Sequence, residues 1–585
     1  MEWVRRSVLI SVLALCTIPA MTDAQTPPAD IVLLNGNVLT VDANDRVAQA
    51  VAIRGVRIVA VGTNAEMAPF IGATTRRIDL HGLTVTPGLL DAHVHFASGG
   101  VSRLFVLDLS FPEVRSIADA TAKVAERVAS AAPGEWIEGR GWDEGKLNER
   151  RYILAADLDA VSPNNPVYLT HTTGHYAALN SMALRLSGIT KDTPGPPGGT
   201  IDRYPDGTPT GVLKEQATGL VRQRGGSGRP PDATERGIRE MSKAFNEEGM
   251  TGGKDPGINQ ATWDAYKKVS AAGDLTVRIF ALWRGGSSPG RAADLISQIG
   301  SFSKPYESTG DDQLVSGGIK LQIDGSGGAR TAWLYDDWNR EYSDVDRGNQ
   351  GYSTSNADSI RALIKLYHDA GLHVGVHAIG DRGIDWIVDS FRETLEAKPT
   401  RGLRHSIIHA NIPTDRAIDG MSDLQKRFDA GYPEPSATFT WWIGDTYAGN
   451  FGRERSLRLN PFRTFASKGI PWANGSDYSV TPFAARYGIW SAVAREPLLG
   501  VYGEQPFGTA ESVDVRLALR SVTIWAARQM FLEKQIGSIE VGKYADLAVW
   551  DRDLYSVPTA ELKDLQCQMT IFNGRIVYVR PNGRF

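Results

Sequence analysis

From Thr84 to Gly475 the chain repeats one unit, a short apolar segment followed by an amphipathic stretch, and this alternation limits the fold more than any other feature. Eight segments read as strands: Thr84–Phe96, Met250–Gly253, Val277–Trp283, Ile319–Ile323, His373–Ala378, His405–Ala410, Ser436–Thr440 and Pro471–Gly475. Between them, stretches such as Asp358–Ala370 and Asp385–Ala397 carry apolar residues at helical spacing. Strands that alternate with helices pair in parallel, and eight such units close an α/β fold into a (β/α)8 barrel of TIM type. An open doubly wound sheet is the competing arrangement, but no glycine-rich nucleotide fingerprint follows any of these strands. A closed barrel puts its chemistry at the C-terminal ends of its strands.

The flanks have a different texture. Ile31–Leu34, Ala50–Ile53 and Arg57–Gly62 near the start, and Ala545–Trp550 and Met569–Val577 near the end, read as short strands separated by turns. The expectation is a small β-sandwich domain built from both chain ends, residues 25–84 and 536–585, around a barrel spanning 85–535. Residues of about 100–235 form an excursion too long for a simple loop. With a helix at Ser116–Ala131 and strands at Glu135–Gly139 and Pro166–Thr170, it is expected to roof the pocket. Residues 1–24 have the order of a secretory signal: Arg5 and Arg6, an apolar run from Val8 to Ile18, then small and polar residues up to Ala24. That run is too short to span a bilayer, so the expectation is a periplasmic or secreted protein with no stable membrane span after cleavage. Cleavage leaves Cys567 as the one cysteine and rules out an internal disulfide. A net charge of −4 over 585 residues, with no long block of one sign, argues against nucleic acid as a partner and leaves a small molecule. Self-association is left open.

The chemistry gathers at the predicted strand ends. In Thr86-Pro-Gly-Leu-Leu-Asp-Ala-His93-Val-His95, residues two apart in a strand share a face, so the two imidazoles project together as a metal-binding pair. Lys320, His377, His409 and Asp477 lie at the ends of the fourth, fifth, sixth and eighth strands and point into the same mouth. Each alone reads more readily as a structural residue; their convergence is what argues for a metal site.

These strings resemble the amidohydrolase superfamily, in particular its branch of YtcJ-like proteins and N-substituted formamide deformylases. The likeness runs from about residue 31 to the end. It rests on Pro87-Gly-Leu-Leu-Asp-Ala-His-Val-His, Lys320-Leu-Gln-Ile-Asp-Gly-Ser, His377-Ala-Ile-Gly-Asp-Arg, His409, Gly475-Ser-Asp and Gly537-Ser-Ile-Glu-Val-Gly-Lys-Tyr-Ala-Asp-Leu. The resemblance implies that His93, His95 and Asp477 bind one divalent metal, and that a carboxylated Lys320 bridges to a second held by His377 and His409. Zinc suits the histidines, while iron or manganese also suits imidazole with carboxylate. The implied reaction is hydrolysis of a C–N bond (amide, formamide, carbamate or cyclic imide) by metal-activated hydroxide, with Asp477 as general base. Ester or lactone hydrolysis at the same site, and a periplasmic ligand-binding protein without turnover, are the alternatives. His175 is a second catalytic candidate, and Trp142, His171 and Arg330 are candidate substrate contacts. Trp333, Trp441 and Trp442 would add aromatic walls, and Asp324 and Asp381 read as braces of strand ends. Lys254, where relatives carry histidine or serine, reads first as a salt-bridge partner.

Overall fold

The computed structural model describes residues 27–221, 229–286, 288–299, 312–339 and 348–583. The expected signal at 1–24 lies outside them. In chain order the first strands are β1 (Ile31–Leu34), β2 (Asn37–Leu39), β3 (Val47–Ala48), β4 (Ala50–Arg54), β5 (Arg57–Gly62), β6 (Arg76–Asp79), β7 (Thr84–Pro87) and β8 (Leu89–Asp91), followed by helix α1 (Phe96–Phe105). The insertion holds β9 (Leu107–Asp108), α2 (Ile117–Ala129), β10 (Ile137–Trp142), α3 (Ala155–Asp159), β11 (Val167–His171), β12 (Tyr176–Leu179), α4 (Ser181–Leu186), β13 (Gly199–Arg203) and β14 (Pro209–Glu215). Strand and helix then alternate: α5 (Ala233–Glu247), β15 (Met250–Ile258), α6 (Gln260–Ala271), β16 (Arg278–Arg284), α7 (Pro289–Ile299), β17 (Leu314–Gln322), α8 (Ala357–Asp369), β18 (Val374–Ala378), α9 (Asp381–Ala397), β19 (Ser406–His409), α10 (Asp415–Phe428), β20 (Tyr432–Glu434) and α11 (Thr438–Trp441). The chain closes with β21 (Leu547–Trp550), β22 (Cys567–Phe572) and β23 (Arg575–Val579).

Seven strands form one parallel sheet in the order β20-β19-β18-β17-β16-β15-β8. The expected eighth strand, Pro471–Gly475, has no regular ladder but closes the curl. On one side Ala473 N donates to Pro433 O (3.3 Å) and Gly475 N to Pro435 O (3.2 Å); on the other Ala92 N donates to Asn474 O (3.0 Å) and Asp477 N to His93 O (2.7 Å). Alternation along the strands separates two cores. Leu90, Ala92, Phe280, Leu282, Ile408 and Ala473 cluster inside the curl, whereas Ile279, Ala281, Ile319 and Leu321 pack outward against the helices.

Three expectations need correction. Thr84–Phe96 is not one strand: β7 joins a flanking sheet, Gly88 breaks the run, and only β8 enters the parallel sheet. Ser436–Thr440 is not the seventh strand. That place belongs to β20, and the later residues turn into α11. The insertion holds more than the one helix and two strands expected of it, since it builds its own six-stranded sheet in the order β13-β14-β12-β11-β10-β9.

The two chain ends do meet. β7 pairs antiparallel with β21 inside a six-stranded sheet, β23-β22-β21-β7-β2-β3, and a four-stranded sheet, β5-β4-β1-β6, shares its apolar cluster of Leu33, Val51, Val85, Leu547 and Ile571. Among the described residues no helix is long and apolar enough to cross a membrane.

Candidate metal centre

The strand ends bring His93, His95, His409 and Asp477 together. Asp477 Oδ1 lies 3.6 Å from His93 Nε2 and 3.3 Å from His95 Nε2, and Oδ2 lies 3.9 Å from His409 Nε2. The rings continue as a row: His93 to His409 at 5.0 Å, His409 to His377 at 4.6 Å, and His377 to His175 at 5.2 Å between centroids. His93 and His95 meet, but not as strand neighbours. β8 ends at Asp91, and His95 is the residue that caps α1. The backbone of this turn is held by Asp91, whose carboxylate accepts from His93 N (3.0 Å), Ser476 N (3.0 Å) and Ser476 Oγ (2.6 Å). His409 and Asp477 both have left-handed backbones (φ 72° and 55°), conformations that non-glycine residues seldom hold unless their surroundings impose them.

The electrostatics favour neutral imidazoles with free lone pairs. Burial, then the neighbouring cations and rings, hold His93, His377 and His409 well below the ordinary histidine range. His93 is 1% exposed, and neither of its ring nitrogens has a hydrogen-bond partner among the described residues. His409 Nδ1 is likewise buried and unpartnered. Buried polar atoms are nearly always satisfied, so orphaned nitrogens facing a carboxylate are the environment a divalent cation would complete. His377 spends Nε2 on the carbonyl of Gly325 (3.0 Å), which leaves Nδ1 as its available donor atom.

Lys320 stands in the mouth on β17. Burial pulls its ammonium down to about 8, against the pull of Asp477 and Glu434. Lys254 makes the expected salt bridge: it is fully buried on β15 and paired with the equally buried Glu434 at the end of β20. Asp324 braces the fifth strand end by accepting from Ile379 N (3.0 Å), Gly380 N (2.8 Å) and Trp333 N (3.0 Å). Burial outweighs those donors and raises its carboxyl to about 7. Asp381 accepts from Tyr335 N (3.1 Å).

From the insertion, His175 reaches this row. Its Nδ1 lies 3.0 Å from both oxygens of Glu215, and Thr331 Oγ1 donates to Glu215 Oε1 (2.5 Å) from the loop after β17. Burial works against the His175 imidazolium, but the charge and hydrogen bond of Glu215 outweigh it and raise the group above the ordinary histidine value.

The three expected substrate contacts do not reach the mouth. Trp142 is 0% exposed and donates from Nε1 to Leu169 O (3.0 Å) in the insertion core. His171, also 0% exposed, stacks on Tyr176 at 3.9 Å, with Nε2 3.0 Å from Glu144 Oε2. Both fill the insertion's interior because its sheet has a core of its own to pack. Arg330 is 7% exposed, donates to Asn339 O (3.2 Å) and lines a cavity of about 670 Å³ with Arg150, Tyr152 and Lys214, none of the barrel-end histidines among them. Trp441 and Trp442 pack edge to face at 5.2 Å, and Trp333 lies against Trp386 at 5.9 Å. Glu215, Glu434 and Asp91 escape a reading of the sequence alone. Only Asp91, two residues before His93, stands within a motif that marks it.

Comparison with known proteins shows the family and the fold. The family model described as amidohydrolase family matches residues 76–578. The chain is 28% identical over 570 residues to an N-substituted formamide deformylase of Arthrobacter pascens, covering 95% of this chain and 99% of that one. It is 29% identical over 513 residues to the putative amidohydrolase YtcJ of Bacillus subtilis, covering 86% and 90%. Among solved structures, an uncharacterized metal-dependent hydrolase from Pyrococcus horikoshii superposes with a TM-score of 0.68 at 22% identity, covering 91% of this chain and 99% of that one. That likeness is one of fold, a TIM-type barrel. The chain belongs to the amidohydrolase family.

Proposed function

We propose that this protein is a metal-dependent hydrolase that cleaves a C–N bond in a small-molecule amide, formamide, carbamate or cyclic imide. The observation that carries the reading is His93 beside Asp477, with both ring nitrogens buried and without a hydrogen-bond partner among the described residues. His93, His95 and Asp477 would hold one ion, with His377, His409 and a carboxylated Lys320 available to a second; zinc suits the donor set. When bound, such an ion acidifies water and polarises a carbonyl. Asp477 faces three imidazoles and is placed to take a proton from water and return it to the leaving nitrogen. His175, whose imidazolium Glu215 favours, would donate a hydrogen bond to the carbonyl oxygen as charge develops there. The relative named as a formamide deformylase supports the C–N choice over an ester. In this reading residues 25–84 and 536–585 are a small β-sandwich domain beside the barrel, and the signal at 1–24 exports the enzyme.

Elemental analysis of protein purified without added metal, beside the Lys320→Ala variant, tests the centre. About two ions per chain in the parent and fewer in the variant are expected for a bridged pair. About one in both removes Lys320 from the ligands. No metal, with none taken up on reconstitution, ends the hydrolase reading. Paired amide and ester analogues then decide the bond, with the amide expected to turn over faster.

A further inference from the structure

A cavity of about 680 Å³ beside the metal centre reaches it at His95 and Lys320 and is also lined by Gln322, Asp255, Arg229 and Arg284, among others. Its charges do not balance. Asp255 is the only acidic residue lining it among the described residues, and Asp255 Oδ2 is already taken by Tyr266 Oη (2.5 Å) and Ala97 N (3.2 Å). Arg229 is neutralised by Glu138. Arg284 has no such partner: among the described residues it makes no ion pair or hydrogen bond through its side chain, although it sits where β16 opens into the cavity. Its direction follows from the strand. Phe280 and Leu282 belong to the cluster inside the curl, and the next residue on that face is Arg284. In register it lies opposite Lys320 on β17, so their Cα atoms are about 5 Å apart across neighbouring strands.

A guanidinium with no partner among the described residues, opening into a polar pocket, is an arrangement that recognises a planar anion. We propose that Arg284 binds a carboxylate on the substrate, so that the substrate class is an amide whose nitrogen substituent carries a carboxylate, as in N-acyl amino acids. The carboxylate would rest on Arg284 at the third strand end while the amide lies over His93 and Asp477. This rests on the hydrolase reading above for the bond broken, but not for the binding of the acid.

Two measurements keep those claims apart. The first is calorimetric binding of two non-hydrolysable ketone isosteres, with CH2 in place of the amide nitrogen, to the metal-loaded protein. One is the isostere of N-acetylphenylalanine and the other that of its decarboxylated counterpart, N-acetylphenethylamine. The acid is expected to bind at least about tenfold tighter, an advantage that Arg284→Gln abolishes and Arg284→Lys restores in part. Equal affinities, failure of both to bind at millimolar concentration, or an acid preference that survives Arg284→Gln would each overturn the proposal. So would loss of bound metal in Arg284→Gln, which would assign the guanidinium to the centre itself. The second is turnover of the two amides. A preference for the acid expressed in KM supports the proposal, and a faster neutral amide overturns it. If the acid isostere binds through Arg284 yet neither amide is hydrolysed, the carboxylate site stands and the hydrolase reading fails.

Discussion

Histidine and carboxylate cluster twice in this molecule, at the barrel mouth and inside the insertion, and the two clusters are built to opposite ends. In the insertion, Asp143, Glu144 and His171 lie as close together as His93, His95 and Asp477 do. Yet Lys146 Nζ sits 2.9 Å from Asp143, and Thr446 Oγ1 and Gly145 N donate to the same carboxylate. Glu144 accepts from Tyr176 Oη (2.8 and 2.7 Å) and faces the His171 ring. Burial works against the His171 imidazolium, but the charge of Glu144 raises it above its ordinary value, and Lys146 already supplies a cation to Asp143. At the mouth His93 is pushed the other way, neutral, and no described residue satisfies either of its ring nitrogens. Proximity of ligand-type residues therefore does not distinguish a metal site from a buried salt bridge. What does is whether a cation of the protein's own already occupies the middle.

The contrast can be broken most directly at the ligands. Asp477→Asn is expected to lower kcat by about 10²–10⁴-fold and reduce the metal content, whereas Glu144→Gln should keep the parent's metal content. Elemental analysis of both variants beside steady-state rates checks this, and a metal loss confined to Glu144→Gln would reverse the assignment. Next in size, Lys146→Met leaves Asp143 charged and buried without its cation, for an expected loss of about 3–5 kcal/mol in denaturant unfolding with bound metal retained. Adding Asp143→Leu should recover most of that loss.

Acid and base sharpen the comparison further. Burial raises the Asp143 carboxyl, but Lys146 and the hydrogen bonds to it win, so its folded value is depressed. Its contribution to stability is present above the ordinary carboxylate range and is lost on strong acidification. Asp324, buried at the mouth, is raised to about 7 because burial outweighs its hydrogen bonds. Its contribution is present below about pH 4 and is lost as pH climbs through about 7. Unfolding midpoints of Asp143→Asn and Asp324→Asn across that range should flatten the acid and the neutral limbs respectively. The smallest effect expected is for Glu215→Gln. Without that carboxylate, burial lowers the His175 value, so the limb of the pH–rate profile that reports its protonated form moves to lower pH, with about a tenfold loss of kcat.

Much of this is legible in the residues. The alternation that announces parallel strands and the string Asp91-Ala-His93-Val-His95 locate the barrel and the centre, because apolar period and ligand spacing are local properties. The failures are non-local. Thr84–Phe96 reads as a continuous strand, but its first half finds a better partner in β21, hundreds of residues away. Ser436–Thr440 reads as β because Thr and Phe favour strands, yet the ladder with β19 is already complete at Glu434. Trp142 and His171 read as pocket residues because the two strands legible in the insertion do not reveal a six-stranded sheet, and hence a core, of its own. Glu215 lies forty residues beyond His175 in the chain, and only the fold brings the two carboxylate oxygens to that ring.

The pairing of β7 with β21 has a consequence for how the molecule is made. Trp550 Nε1 donates to Thr86 Oγ1 across 464 residues of chain. At ribosomal speeds of about 5–20 residues per second, β7 waits roughly 20–90 s for that neighbour to be synthesised. Throughout that interval it has an open edge beside the first barrel strand, the kind of edge on which other chains can add. A message cut short before Leu547 would leave the edge open for good, with every proposed metal ligand already translated. Closing the sheet is thus a late checkpoint that separates finished copies from nearly finished ones.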